Sequence, residues 1–130
     1  FTVDLRHTDG TLLAQAETEL HAYALRVARL EGVRITSRAL ARFEPVAFDP
    51  MVVNLVAQQA QAMGYSHQRM PSGAGHDAQM LARVCPSAMI FVPSVDGLSH
   101  NVREHTDPAD LQRGAQLLLQ VVLALANRSS

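Results

Sequence analysis

The first seven residues alternate. Phe1, Val3 and Leu5 fall on one side and Thr2, Asp4 and Arg6 on the other. A period of two is that of a half-buried strand. Asp9-Gly10 then forms a turn that can open a helix. From about Thr11 to Glu31 the apolar positions Leu13, Ala16, Leu20, Ala24, Val27 and Ala28 recur at helical spacing, and Gly32 is placed to stop the helix. Alternation returns over residues 33–43, with Val33, Ile35, Ala39, Ala41 and Phe43 set against Arg34, Thr36, Arg38 and Arg42. Residues 1–48 therefore predict strand, helix, strand.

A different pattern starts at Asp49-Pro50. The aspartate can cap a helix, and the proline needs no amide donor in the first turn. The helix is expected to run to Met63 and stop at Gly64. A short strand is expected over 65–70, a loop over 71–75, and a helix from His76 to Val84. Residues 87–92 are continuously apolar, as a strand covered on both faces would be. Asp107-Pro108 repeats the capping signal with Asp110 in the first turn, and Leu111, Ala115, Leu118, Val122 and Leu125 mark the expected core face of a final helix. The fold class predicted is α/β: half of a ferredoxin-like strand–helix–strand layer over 1–48, followed over 49–130 by part of an α/β domain.

The chain has 130 residues, 48% of them hydrophobic, and a net charge of −1. There is no basic surface of the kind that displaces phosphate counterions, so nucleic acid is not an expected partner. No apolar run is long enough to span a bilayer, and no secretory leader opens the chain. Cys85 is the only cysteine, which excludes an intrachain disulfide and fits a reducing, cytoplasmic setting. Before Pro86 and an apolar run it reads as a small buried hydrophobe rather than a nucleophile. Met51, Met63 and Met89 read as packing. The chain opens on Phe1 within an alternating run, as expected of a fragment.

The candidate chemistry lies in two glycine-bearing histidine loops on either side of the apolar run. The first is Ser72-Gly73-Ala74-Gly75-His76-Asp77-Ala78; the second is Asp96-Gly97-Leu98-Ser99-His100-Asn101-Val102-Arg103-Glu104. His100 follows an expected strand, where ligands gather in α/β proteins, and a neutral imidazole suits divalent transition metals. Glu104 is near enough to hold the ring's other nitrogen or to shape the loop. His76, at an expected helix start and beside glycines that let backbone approach a ligand, could polarise a carbonyl or stabilise an oxyanion. Asp77 is a second-shell acceptor or a helix-favouring first-turn acid. The planar fork of Arg6 suits a carboxylate, although it shares a strand face with Asp4 and a surface ion pair would also explain it. No nucleophile elbow, phosphate-binding loop, dinucleotide fingerprint or cysteine-pair metal site is present. His76 and His100 alone do not supply the donors of a complete metal site.

Three segments in this order carry a family resemblance: residues 72–78, the run Ala88-Met89-Ile90-Phe91-Val92-Pro93-Ser94, and Gly97-Leu98-Ser99-His100-Asn101. They resemble the C-terminal signature of the N-carbamoyl-amino-acid hydrolases, the group that includes β-ureidopropionase and allantoate amidohydrolase among the metal-dependent peptidase-like amidohydrolases. Residues 1–7 resemble a strand of that family's smaller lid, or dimerisation, domain. The resemblance implies a two-domain hydrolase of ureido C–N bonds that releases ammonia and carbon dioxide. It implies a divalent metal centre (zinc, manganese, cobalt or nickel), usually binuclear, and a homodimer formed through the lid.

By position, the resemblance makes His100 a metal ligand. It makes His76 the histidine near the scissile carbonyl, with Gly75 backbone beside it, and Arg6 the group that binds the substrate carboxylate. The other ligands and a glutamate base are implied upstream. Val102 stands where the family usually has proline. This chain would hold the second half of the lid and the last part of the catalytic domain, and would be inactive alone. Two alternatives stay open: a dipeptidase or aminoacylase of the same superfamily, and a non-catalytic dimerisation module.

Overall fold

The structure is a computed structural model that describes residues 1–127. Among these residues four α-helices are formed: α1 (Gly10–Glu31), α2 (Pro50–Ala62), α3 (Ala78–Leu81) and α4 (Pro108–Ala126), with a 3-10 turn at Val95–Gly97. No β-strand occurs among the described residues, so the expected α/β class is overturned. Alternation shows which side of a ribbon is apolar, but a strand exists only through a neighbour that takes its N–H and C=O groups. Among the described residues, none of the backbone hydrogen bonds outside the helices joins 1–7 to 33–43. The Val33 N–H instead closes the end of α1 on the Ala28 carbonyl. Residues 87–92 and 65–70 likewise form no ladder.

Contacts divide the chain into two units. The first is Phe1–Ala47 with Pro71–Gly75; the second is Phe48–Met70 with His76 onward. In the first unit α1 begins where Asp9 accepts the Thr11 and Leu12 amides at 2.8 and 3.2 Å. Those two backbone donors, Leu12 first, hold the Asp9 carboxyl below the ordinary value. Gly32, at φ 65, supplies the left-handed C-cap. Leu13 is buried, and Ala16, Ala24, Val27 and Ala28 are half-buried further along the helix. Arg42 reaches Glu17 on α1 at 3.1 Å and also pairs with Glu44.

In the second unit α2 and α4 pack together. Asp49 caps α2 through the Met51 and Val52 amides, and its own N–H donates to the Ser87 carbonyl at 3.0 Å. Asp107 caps α4 through Ala109. The core is Leu55 and Ala60 of α2 against Leu117 and Val121 of α4, with Val56, Met63, Tyr65 and Ile90 packed on it. The Tyr65 hydroxyl donates to Gln116 Oε1 at 2.6 Å, tying the end of α2 to α4.

Gly114 sets how closely residue 92 approaches α4: a Cβ there would stand 2.5 Å from Val92 Cγ1. Of the expected core face of α4, Leu125 packs on the core, but Leu111, Leu118 and Val122 are about half exposed, and Leu117 and Val121 are buried in their place. With leucine at 117, 118 and 119, period alone does not choose the face. Residues 87–92 are not covered on both sides, for Phe91 is 55% exposed. Cys85 is exposed rather than buried, its Sγ 3.4 Å from the Leu81 carbonyl. Met51 is also exposed, at 41%. No helix among the described residues is long and apolar enough to cross a membrane.

Candidate functional site

In the first unit the candidate is Arg6. Its Nε lies 3.0 Å from both carboxylate oxygens of Asp4, and its Nη2 donates to Asp4 Oδ2 at 2.5 Å. The i, i+2 spacing that put both residues on one side of the alternating run brings this pair together. Nη1 donates to the carbonyl of Gly73, in the segment 71–75 that belongs to the same unit. The hydrogen bonds from Arg6 hold the Asp4 carboxyl below its ordinary value, and the same pair raises the guanidinium. Both side chains are exposed, 61% and 59%, so the pair is not a buried structural bridge. The Gly73 carbonyl was invisible to spacing, because 67 positions separate it from Arg6.

Gly75 is exposed, has no positive φ, and a Cβ there would meet nothing within 4 Å. The chain's own packing therefore does not impose glycine at that position.

In the second unit His76 lies just before α3. Its Nδ1 is 3.0 Å from the Ala78 amide, which can only donate. Nδ1 is therefore the acceptor nitrogen, and a neutral ring carries its proton on Nε2. The geometry makes His76 a cap for a short helix and leaves an exposed Nε2–H donor. α3 is shorter than the helix expected over 76–84. Asp77 makes no side-chain cap bond, and the N–H groups of Arg83 and Val84 turn back to Met80 and Leu81 as in a 3-10 turn. The Asp77 carbonyl accepts from Met80 and Leu81, while its side chain is at the surface.

His100 has φ 55, in the left-handed region that a side chain other than glycine's seldom enters. Two groups hold it there. Its N–H donates to Glu104 Oε2 at 2.7 Å, and Asn101 Oδ1 accepts the Arg103 amide at 2.9 Å. Of the two roles open to Glu104, this contact is the loop-shaping one: the carboxylate takes the backbone amide of His100. Asp96, at φ 57, and Gly97, at φ 65, turn the chain at the start of the same loop.

The metal expectation can be tested on the donor set. No three His, Cys, Asp or Glu side chains stand close enough to hold a metal ion among the described residues. The residues present thus do not make a metal site by themselves, and His100 offers one donor.

The sequence matches the peptidase family M20/M25/M40 over residues 7–124, and the chain belongs to that family. Within it, the chain is similar to the hydantoinase/carbamoylase amidohydrolases. It is 40% identical over 126 residues to an N-carbamoyl-L-amino-acid amidohydrolase of Rhizobium meliloti, covering 97% of this chain and 30% of that protein. It is 35% identical over 126 residues to an allantoate amidohydrolase of Bacillus subtilis, covering 97% and 31%. The crystal structure of an amidase of the hydantoinase/carbamoylase family from Burkholderia vietnamiensis matches with a TM-score of 0.83 and 40% identity, over 92% of this chain and 29% of that one. The chain spans about 30% of the length of the curated relatives it matches.

Proposed function

We propose that the polypeptide in which this chain occurs hydrolyses the ureido C–N bond of N-carbamoyl amino acids or related ureido acids. Water adds to the ureido carbonyl, ammonia leaves with the C–N pair, and the carbamate left on the amino nitrogen loses carbon dioxide. The observation that supports this most is the anchored, exposed guanidinium of Arg6 in a chain similar along 97% of its length to an N-carbamoyl-L-amino-acid amidohydrolase.

In this reading Arg6 binds the substrate carboxylate, which every ureido acid of this class carries. His76 presents Nε2–H to the carbonyl oxygen as negative charge develops on it, with Gly75 backbone beside it. His100 serves as one ligand of a divalent metal, and Glu104 fixes the loop that aims it. Asp77 stands beside His76 as a polar neighbour. A bound metal of the kind this family uses acidifies water and polarises carbonyls. The donors among the described residues do not complete its site. Residues 1–48 are read as part of a lid that pairs two copies, and residues 49–130 as part of the catalytic domain.

The test is ammonia release by the natural full-length polypeptide, supplied in turn with zinc, manganese, cobalt and nickel. The substrates are a panel of N-carbamoyl amino acids and allantoate. Release from one member fixes the reaction and the substrate. Amino-acid release from dipeptides or acyl amino acids, with no ammonia from any ureido acid, would replace this reading by a peptidase or acylase. Light scattering on the same sample checks the dimer.

A further inference from the structure

The contacts of Arg6 go beyond those of a surface ion pair. A guanidinium presents two bidentate edges, one side-on through Nε and Nη2 and one end-on through Nη1 and Nη2. Asp4 occupies the side-on edge completely, with Nε at 3.0 Å from each oxygen and Nη2 at 2.5 Å from Oδ2. Gly73 accepts from Nη1, and the place of its missing Cβ lies 3.7 Å from Arg6 Cδ and 3.8 Å from Nη1. The Gly73 backbone thus lies against the Nη1 end of the arginine and takes one of the two Nη1 hydrogens. Each terminal nitrogen carries two N–H groups and gives one to Asp4 or Gly73, so one donor on each is left for a ligand.

We propose that Asp4 is a positioning residue. It grips the Arg6 guanidinium side-on, with the Gly73 carbonyl as the second anchor, so that the end-on edge is presented to the carboxylate of a ureido-acid substrate. The inference rests on the reading of Arg6 as the carboxylate-binding group. Two opposed effects decide its sign. Asp4 repels an arriving carboxylate through space, and it removes the rotamer freedom that an exposed arginine would have to lose on binding. The pair is exposed, where water screens the repulsion, whereas orientation is geometric and is not screened. Orientation wins, and loss of Asp4 weakens binding.

The experiment uses the metal-loaded full-length polypeptide and two substrates, an N-carbamoyl amino acid and the same compound as its uncharged terminal amide. Asp4→Asn is expected to raise KM for the acid about tenfold, the worth of one charge-assisted contact, with kcat changed far less. KM for the amide stays unchanged, and Asp4→Glu recovers part of the loss. A KM that rises equally for acid and amide would make Asp4 merely structural and overturn the proposal. So would an unchanged or lowered KM for the acid. Arg6→Ala on the same pair separates the premise from the inference. If it fails to discriminate acid from amide, the reading of Arg6 falls and this proposal with it. If it discriminates and Asp4→Asn does not, only the positioning role falls.

Discussion

Gly114, in α4, is the glycine whose replacement the structure obstructs most directly. In an unobstructed helix interior, glycine to alanine is worth about 0.8–1 kcal/mol in favour of alanine. At 114 the new Cβ would stand 2.5 Å from Val92 Cγ1, about 1 Å inside the roughly 3.5–4 Å at which carbons attract. The obstacle is a β-branched side chain with a narrow choice of χ1, so relief needs an off-rotamer valine or a backbone shift. Overpacking of this kind costs about 1–3 kcal/mol, which exceeds the propensity gain. Gly114→Ala is therefore expected to destabilise the second unit by about 1 kcal/mol. In a Val92→Ala background the obstructing methyl is gone, and the same substitution should stabilise by up to about 1 kcal/mol. The assay is urea unfolding followed by circular dichroism for the four members of the cycle, whose coupling should reach about 2 kcal/mol. If Gly114→Ala alone raised the midpoint by the full propensity gain, the account of how residue 92 meets α4 would be wrong.

Two further outcomes are expected. Asp9 and Asp4 have folded-state values lowered from the ordinary 3.8, so their contribution is fully present above that value and fades as pH falls through the lowered ones. Helicity of α1 against pH should decline below about 4, and Asp9→Asn should flatten the decline; an unchanged profile in that variant would remove Asp9 as the cause. His100→Gly should leave stability within about 1 kcal/mol of the parent or raise it, because the left-handed backbone no longer carries a Cβ. Metal content of the full-length protein should fall at the same time, and retention of full content would end the proposed role of His100.

The helices were legible in the sequence because their signals are local. Asp9, Asp49-Pro50 and Asp107-Pro108 each cap the helix they announce, and Gly32 ends α1 in the conformation only glycine enters freely. The expected strands do not form among the described residues, since Phe1, Val3 and Leu5 can show a side but cannot supply a neighbour. The buried side of α4 depended on Leu55 and Ala60 of α2, which no window on α4 contains. The same division runs through the candidate site. Asp4 and Arg6 meet because they are two residues apart on an alternating run. The Gly73 carbonyl that completes the grip on Arg6 reaches it from a distant segment. The ring tautomer of His76 follows from a bond to the second amide after it, which spacing permits but does not announce.

The backbone at His100 narrows what this position can become. At φ 55 the cheap residues are glycine, asparagine, aspartate and histidine, and β-branched or bulky apolar side chains are excluded on steric grounds. Of the four, glycine carries no donor atom and asparagine only a weak neutral one. A lineage that needs a nitrogen or oxygen ligand at the tip of this loop can thus drift between two side chains. Any wider change must first rebuild the turn that Glu104 and Asn101 hold.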